Sequence, residues 1–172
     1  MLDRLHPWSL SLIVTVAAFA AACAPAAQAA AANPNVPAAH AHDQAPGTGL
    51  HLNQGRKWAT DVPLREGMTK IRALVAPALP AAHAGTMGKA EYAALAAKVE
   101  TEVGTIVANC KLAPEADAVL HAVISELAGG ADAMAGRKPG VAPTKGLLQA
   151  AAAVNDYGRY FDHPGWKAIP TH

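Results

Sequence analysis

Apolar residues return every three or four positions in four separate stretches of this chain, the spacing of helices that each bury one face. The first stripe is Leu64, Met68, Ile71 and Val75, and the second is Tyr92, Ala96, Val99, Val103, Ile106 and Cys110. The third is Ala116, Leu120, Val123, Leu127 and Met134, and the fourth is Leu147, Ala151, Val154, Gly158 and Phe161. No alternating pattern of a half-buried strand competes with them.

Local signals set the expected boundaries. Thr60 or Asp61 caps the first helix, Pro63 sits in its first turn, and Pro77 with Pro80 stops it. A loop through His83 and Gly85 leads to a second helix from about Met87 to Leu112. Pro114, Glu115 and Asp117 open the third in the order the helix dipole favours, and Gly136 closes it. After a loop over 137–143, Thr144 caps the fourth, which His163-Pro164-Gly165 ends. Four helices of roughly 17 to 26 residues on such connections predict an all-α fold, an up-down-up-down antiparallel four-helix bundle. Many of its inward positions are Ala or Gly, which allow either close helix contact or room for a guest.

Upstream of these helices the pattern changes. Arg4, an apolar run from Leu10 to Ala22 and the small-x-small site Ala27-Gln28-Ala29 predict a signal peptide over 1–29, and hence a periplasmic protein. That run spans only about 20 Å as a helix, against a hydrocarbon core of roughly 30 Å, so no membrane span is expected. Ala20-Ala21-Ala22-Cys23 resembles a degenerate lipoprotein signal, which makes a lipid anchor at Cys23 the minority expectation. Residues 30–55, rich in Ala, Pro, Asn, Gly and His without apolar periodicity, predict a disordered lead-in. His40, His42 and His51 there fit a solvated tail better than a metal site. The bundle is assigned to 56–172.

The chain has 172 residues, 52% of them hydrophobic, enough for one core and too few for two. Its net charge of +1 comes without a basic stripe, so nucleic acid is not an expected partner. There are two cysteines; if Cys23 leaves with the leader, Cys110 is the one thiol and cannot form an intramolecular disulfide.

Antiparallel threading would bring the start of the first helix, the end of the second, the start of the third and the end of the fourth to one end. At 1.5 Å per residue, Met68 would lie about 12 Å in, His121 about 10 Å, Tyr157 and Gly158 about 7 Å, and Cys110 about 3 Å. His163 follows the same helix. A thioether, a thiolate and an imidazole form a soft set suited to Cu(I), and also to zinc or haem iron, so Met68, Cys110 and His121 are the candidate metal ligands. The same residues also serve as core filler, inert thiol and solvated flank. Trp58 and Trp166 are expected to plug this end, with Tyr160 and Phe161 as packing and Tyr157 aiming its hydroxyl inward.

Leu64-Arg65-Glu66-Gly67-Met68 and Asn155-Asp156-Tyr157-Gly158-Arg159-Tyr160-Phe161 resemble the cytochrome c prime and soluble b-type cytochrome superfamily, four-helix bundles that hold haem near this end. The resemblance implies a haem against Met68, Tyr157 and Gly158, with Met68 as an axial ligand. CxxCH is missing, so covalent c-type haem is not implied, and Gly158 stands where b-type members place a histidine. The segments 50–58 and 157–166 also resemble an uncharacterised group of proteobacterial exported proteins.

Two functions follow as expectations. One is a periplasmic bundle binding haem or a soft metal such as copper, for electron transfer or metal handling. The other is a cofactor-free helical interaction or structural module of the cell envelope, acting as a homodimer or on an envelope protein partner. An enzyme is not expected: no Ser-His-Asp arrangement, inward-facing carboxylate pair or Gly-rich phosphate loop is present.

Overall fold

Asp61 starts the first helix. Its Oδ1 accepts from the Leu64 amide at 2.9 Å, and Pro63 follows in a turn where no N–H is needed, so α1 runs Val62–Val75. The computed structural model describes residues 49–170, all within one compact unit. The expected leader, Cys23, and most of the lead-in, with His40 and His42, lie outside the described residues.

Helix α1 ends at Val75, just ahead of Pro77, as expected, but the helical path continues beyond it. A 3₁₀ turn over Ala76–Ala78 and a short helix α2, Leu79–His83, carry it on. Each proline falls in the first turn of a new element, where a missing N–H breaks no hydrogen bond. Leu79 and Ala82 are thereby buried instead of lying in a loop.

The helix α3 spans Lys89–Asn109, and the Glu91 carboxylate reaches back to the Gly88 amide at 2.7 Å to close its first turn. It ends short of Leu112, because Cys110 turns extended ahead of Pro114. Pro114 opens α4, Pro114–Met134, with Glu115 and Asp117 in its first turn. Gly136, at φ +74°, closes α4 in a Schellman arrangement: its amide donates to Ala133 O at 3.1 Å and that of Arg137 to Asp132 O at 2.9 Å.

The last helix, α5, covers Pro143–Tyr160. Ala142 caps it, not Thr144 as expected, since Pro143 takes the first helical position. The Thr144 hydroxyl lies 2.9 Å from the Tyr92 hydroxyl and so ties α5 to α3. Among the described residues the structure is all-helical, with four long helices and no named strand.

A single apolar core is formed by Leu64, Met68, Ile71, Val99, Ile106, Leu120, Leu127 and Leu147 with their neighbours from all four long helices. Leu50 joins it at 5% exposure. The expectation that everything up to residue 55 stays outside the core therefore fails at this leucine. A turn at Asn53–Arg56 brings the chain in, with hydrogen bonds of 2.8 and 2.9 Å and left-handed backbone at Gln54 and Gly55.

The closest helix contact is between α4 and α5. A Cβ added at Gly146 would stand 2.5 Å from Gly130 O and 2.6 Å from Met134 N, and one at Gly130 would stand 2.7 Å from Gly146 O. Ala131, Ala133, Ala150 and Ala151, all buried, continue the seam. The two backbones meet because both helices present hydrogen where others present a side chain.

Gly146→Ala is expected to lower unfolding free energy by about 1–3 kcal/mol, since overpacking against backbone exceeds the gain in helix propensity. Gly104→Ala, where an added Cβ meets nothing within 4 Å, should raise it by up to about 1 kcal/mol. Urea unfolding followed by circular dichroism measures both.

Candidate functional site

The end of α5 gathers a cluster of aromatic and polar side chains. Its last turn brings Tyr157 into the core with Phe161 stacked on it, ring centres 5.4 Å apart and planes 15° apart. The chain then doubles back, and Trp166 sets its indole edge-on to Tyr157 at 4.9 Å. His163 lies between these rings, 5.7 Å from Tyr157 and 4.7 Å from Trp166.

Gly158 makes this closure fit. A Cβ there would collide with the Trp166 indole, so the glycine leaves the hollow that the indole fills. The Tyr157 hydroxyl is 2.9 Å from His163 Nδ1 and donates to it when that nitrogen is unprotonated. Burial raises the Tyr157 pKa above its ordinary value. Burial first, and then the Arg65 charge, lower that of His163.

The segment before α1 is tied to the same place. Trp58 pairs with Phe161 in an isolated parallel bridge, its amide donating to Tyr160 O and its carbonyl accepting from the Asp162 amide, both at 2.8 Å. Thr60 Oγ1 donates to Asp162 O and Lys57 Nζ to Gly158 O, each at 2.6 Å. The Trp58 indole is buried and donates to His51 O at 2.7 Å. Beside this seam a groove of about 510 Å³ opens between the Asn53–Arg56 turn, Asp61 and the start of α4, with Lys111 and Glu115 on its wall.

The candidate ligands sit in three different surroundings. Met68 is fully enclosed in the core. Cys110 is half-buried at the end of α3, and burial followed by the Asp61 and Asp117 charges raises its thiol pKa. Those surroundings disfavour the thiolate that would bind a soft metal. His121 turns to solvent with 69% of its side chain exposed; its Nδ1 lies 2.8 Å from Asp117 O and 3.4 Å from the Asp117 carboxylate. Its off-stripe phase thus puts the ring on the outer surface of α4, while the Met68 thioether is enclosed in the core. Among the described residues no three His, Cys, Asp or Glu side chains form a metal-holding group.

Nor do the residues fit a haem as the resemblance implies. The open side of Gly158 is taken by Trp166, the Tyr157 face by Phe161, and the Tyr157 hydroxyl by His163. A macrocycle between Met68 and Gly158 would have to expel this aromatic cluster. Trp58, expected as a plug, is buried, Trp166, expected likewise, is partly buried, and Tyr157 points inward as its phase predicts; the role of Asn155 was not foreseen. That side chain accepts from the Ile169 amide at 2.7 Å and donates to its carbonyl at 3.0 Å. A polar residue on the border of an apolar stripe was the available signal.

Comparison with protein-family models, curated proteins and solved structures finds no match. What the chain does must therefore be argued from its own geometry.

In an alkaline ultraviolet titration the Tyr157 phenol should resist ionisation beyond the ordinary value of about 10 until the fold opens. Because the folded-state pKa is the raised one, stability is retained below the unfolded value and lost as pH rises through the folded value. Tyr157→Phe should remove the late step.

Proposed function

We propose that this chain is a cofactor-free, non-enzymatic interaction module of the cell envelope, exported through its N-terminal leader, and that it docks a second copy of itself on the outer face of α3. The observation that carries the proposal is the character of that face. Ala90, Ala94, Ala97, Thr101, Gly104 and Ala108 are all exposed, at alternating spacings of four and three residues. They form an uncharged line about 27 Å long.

That spacing is the seam of a coiled coil, and its order reads the same from either end, as a two-fold antiparallel pair requires. The threonines fit an apolar role, since Thr101 and Thr105 return their hydroxyls to Ala97 O and Thr101 O at 2.9 and 3.0 Å. Their methyls remain for a partner. Charges are drawn to the flanks, where Glu102 pairs with Lys70 and Glu100 with Arg137. Only five residues of α3 are buried, against nine of α4, which has the same length. A surface helix ordinarily carries charge on its outer face, so an uncharged one marks a contact surface.

An up-down-up-down antiparallel bundle is part of the proposal. It is supported by the Lys111 amide on Asp61 Oδ2 at 2.6 Å, joining the end of α3 to the start of α1, and by Gln149 on Glu126 at 2.7 Å between α5 and α4. No helix of the described residues is long and apolar enough to cross a membrane. The periplasmic location rests on the leader pattern alone.

Light scattering on a sizing column should give a dimer, and Ala97→Glu should give a monomer with unchanged far-ultraviolet circular dichroism. A monomeric parent protein would overturn the self-docking. A Soret band on adding haem, abolished by Met68→Leu, would instead return the molecule to the haem-binding class.

A further inference from the structure

Residues 162–170 follow α5 without helix and lie back against the helices. Besides the backbone bridge at Asp162 and the Thr60 hydroxyl on its carbonyl, four attachments hold them. Asn155 clamps Ile169, Arg72 Nε donates to Lys167 O at 2.6 Å, Trp166 covers Gly158, and His163 meets Tyr157 at 2.9 Å. Ile169 is buried, so the segment is packed and not merely apposed. Of the four attachments, the one at His163 alone contains a group that changes charge between neutral and mildly acidic pH.

Two features make that attachment breakable. The Tyr157 hydroxyl has no other hydrogen-bond partner among the described residues, so an unprotonated Nδ1 is the acceptor for its proton. Adding a proton turns Nδ1 into a donor and reverses the bond, with the Tyr157 oxygen accepting; the hydroxyl proton is left without an acceptor, and a charge is placed between the Tyr157 and Trp166 rings on the side facing Arg65. The Trp166 indole N–H is already buried without a partner, so the seat is imperfect from the start.

The charges around the ring act in both directions. Arg65, from α1, opposes a second positive charge at His163; Asp162, in the segment itself, favours one. Burial and Arg65 outweigh Asp162, and the imidazole is held below its ordinary value. Arg65 Nη1 is fixed on Thr60 O at 2.8 Å and on Thr60 Oγ1 at 3.0 Å, which restrains it from withdrawing.

We propose that residues 162–170 are an acid-released strap: protonation of His163 detaches it from Tyr157 and lifts Trp166 off Gly158 while the helices stay folded. Release uncovers the aromatic faces of Tyr157 and Phe161 beside the Trp58 bridge. Since the folded-state value is the depressed one, closure is fully held above the ordinary histidine value of about 6.5 and weakens as pH falls toward the folded value. A single proton changes the open-to-closed ratio by at most about tenfold per pH unit.

The test follows the Trp166 indole N–H cross-peak of the ¹⁵N-labelled full chain from pH 7.5 to 4.5, assigned with Trp166→Phe, beside far-ultraviolet circular dichroism. The expected result is a Trp166 transition below pH 6.5 with helicity unchanged, and no transition in His163→Asn, whose carbonyl can still accept from Tyr157 but does not titrate. A Trp166 signal that stays constant while the His163 ring protonates would overturn the strap. The same transition in His163→Asn, or loss of helicity at the same pH, would overturn it equally.

Discussion

The backbone contact of α4 with α5 at Gly130 and Gly146 sets the spacing on which the rest of the fold depends. With each glycine's missing Cβ giving way to the other's carbonyl, the helices approach closely, and Ala133 and Ala150 pack beside the crossing. Larger side chains, Leu64, Met68, Ile71, Val99 and Ile106 among them, fill the core from α1 and α3. At the glycine crossing itself backbone meets backbone, so no side chain can change rotamer to absorb an added methyl.

The same use of glycine recurs at the other end of α5, with the opposite result. Gly158 admits an indole where Gly146 admits a backbone. The volume that a bound cofactor would need is thereby filled from within the chain by Trp166, which arrives on a segment that has no helix of its own. The chemistry at this end concerns how a tail is held: a buried phenol on an imidazole, an amide side chain clamping a backbone, an indole over a glycine. What remains outward and uncommitted is the uncharged surface of α3.

The four long helices were legible because each carries a stripe at helical spacing, and three of them, α1, α4 and α5, have a proline in the first turn. The ends were less so. Pro77 and Pro80 read as terminators, yet each opens a new short element, because a proline costs a hydrogen bond only after the first turn. Thr144 read as a cap and is a cross-link, since Pro143 before it had already fixed the start. Leu50 looked isolated in polar sequence, and its burial depends on a turn of residues with little apolar character. At the candidate site, helical phase correctly put Tyr157 inward and Met68 in the core. It could not tell that Gly158 is a socket, because the side chain that fills it comes from beyond the helix.

Pairing Trp58 with Phe161 closes the chain on itself just outside the first and last helices. Tension applied between the two ends would run along these two parallel stretches in opposite senses and load their hydrogen bonds together, in shear. Among the described residues every helix lies between the two paired positions, while pull on residues 162–170 would also load their bonds to Asn155 and Arg72. Two strand-like residues thus make a mechanical clasp for an otherwise helical molecule.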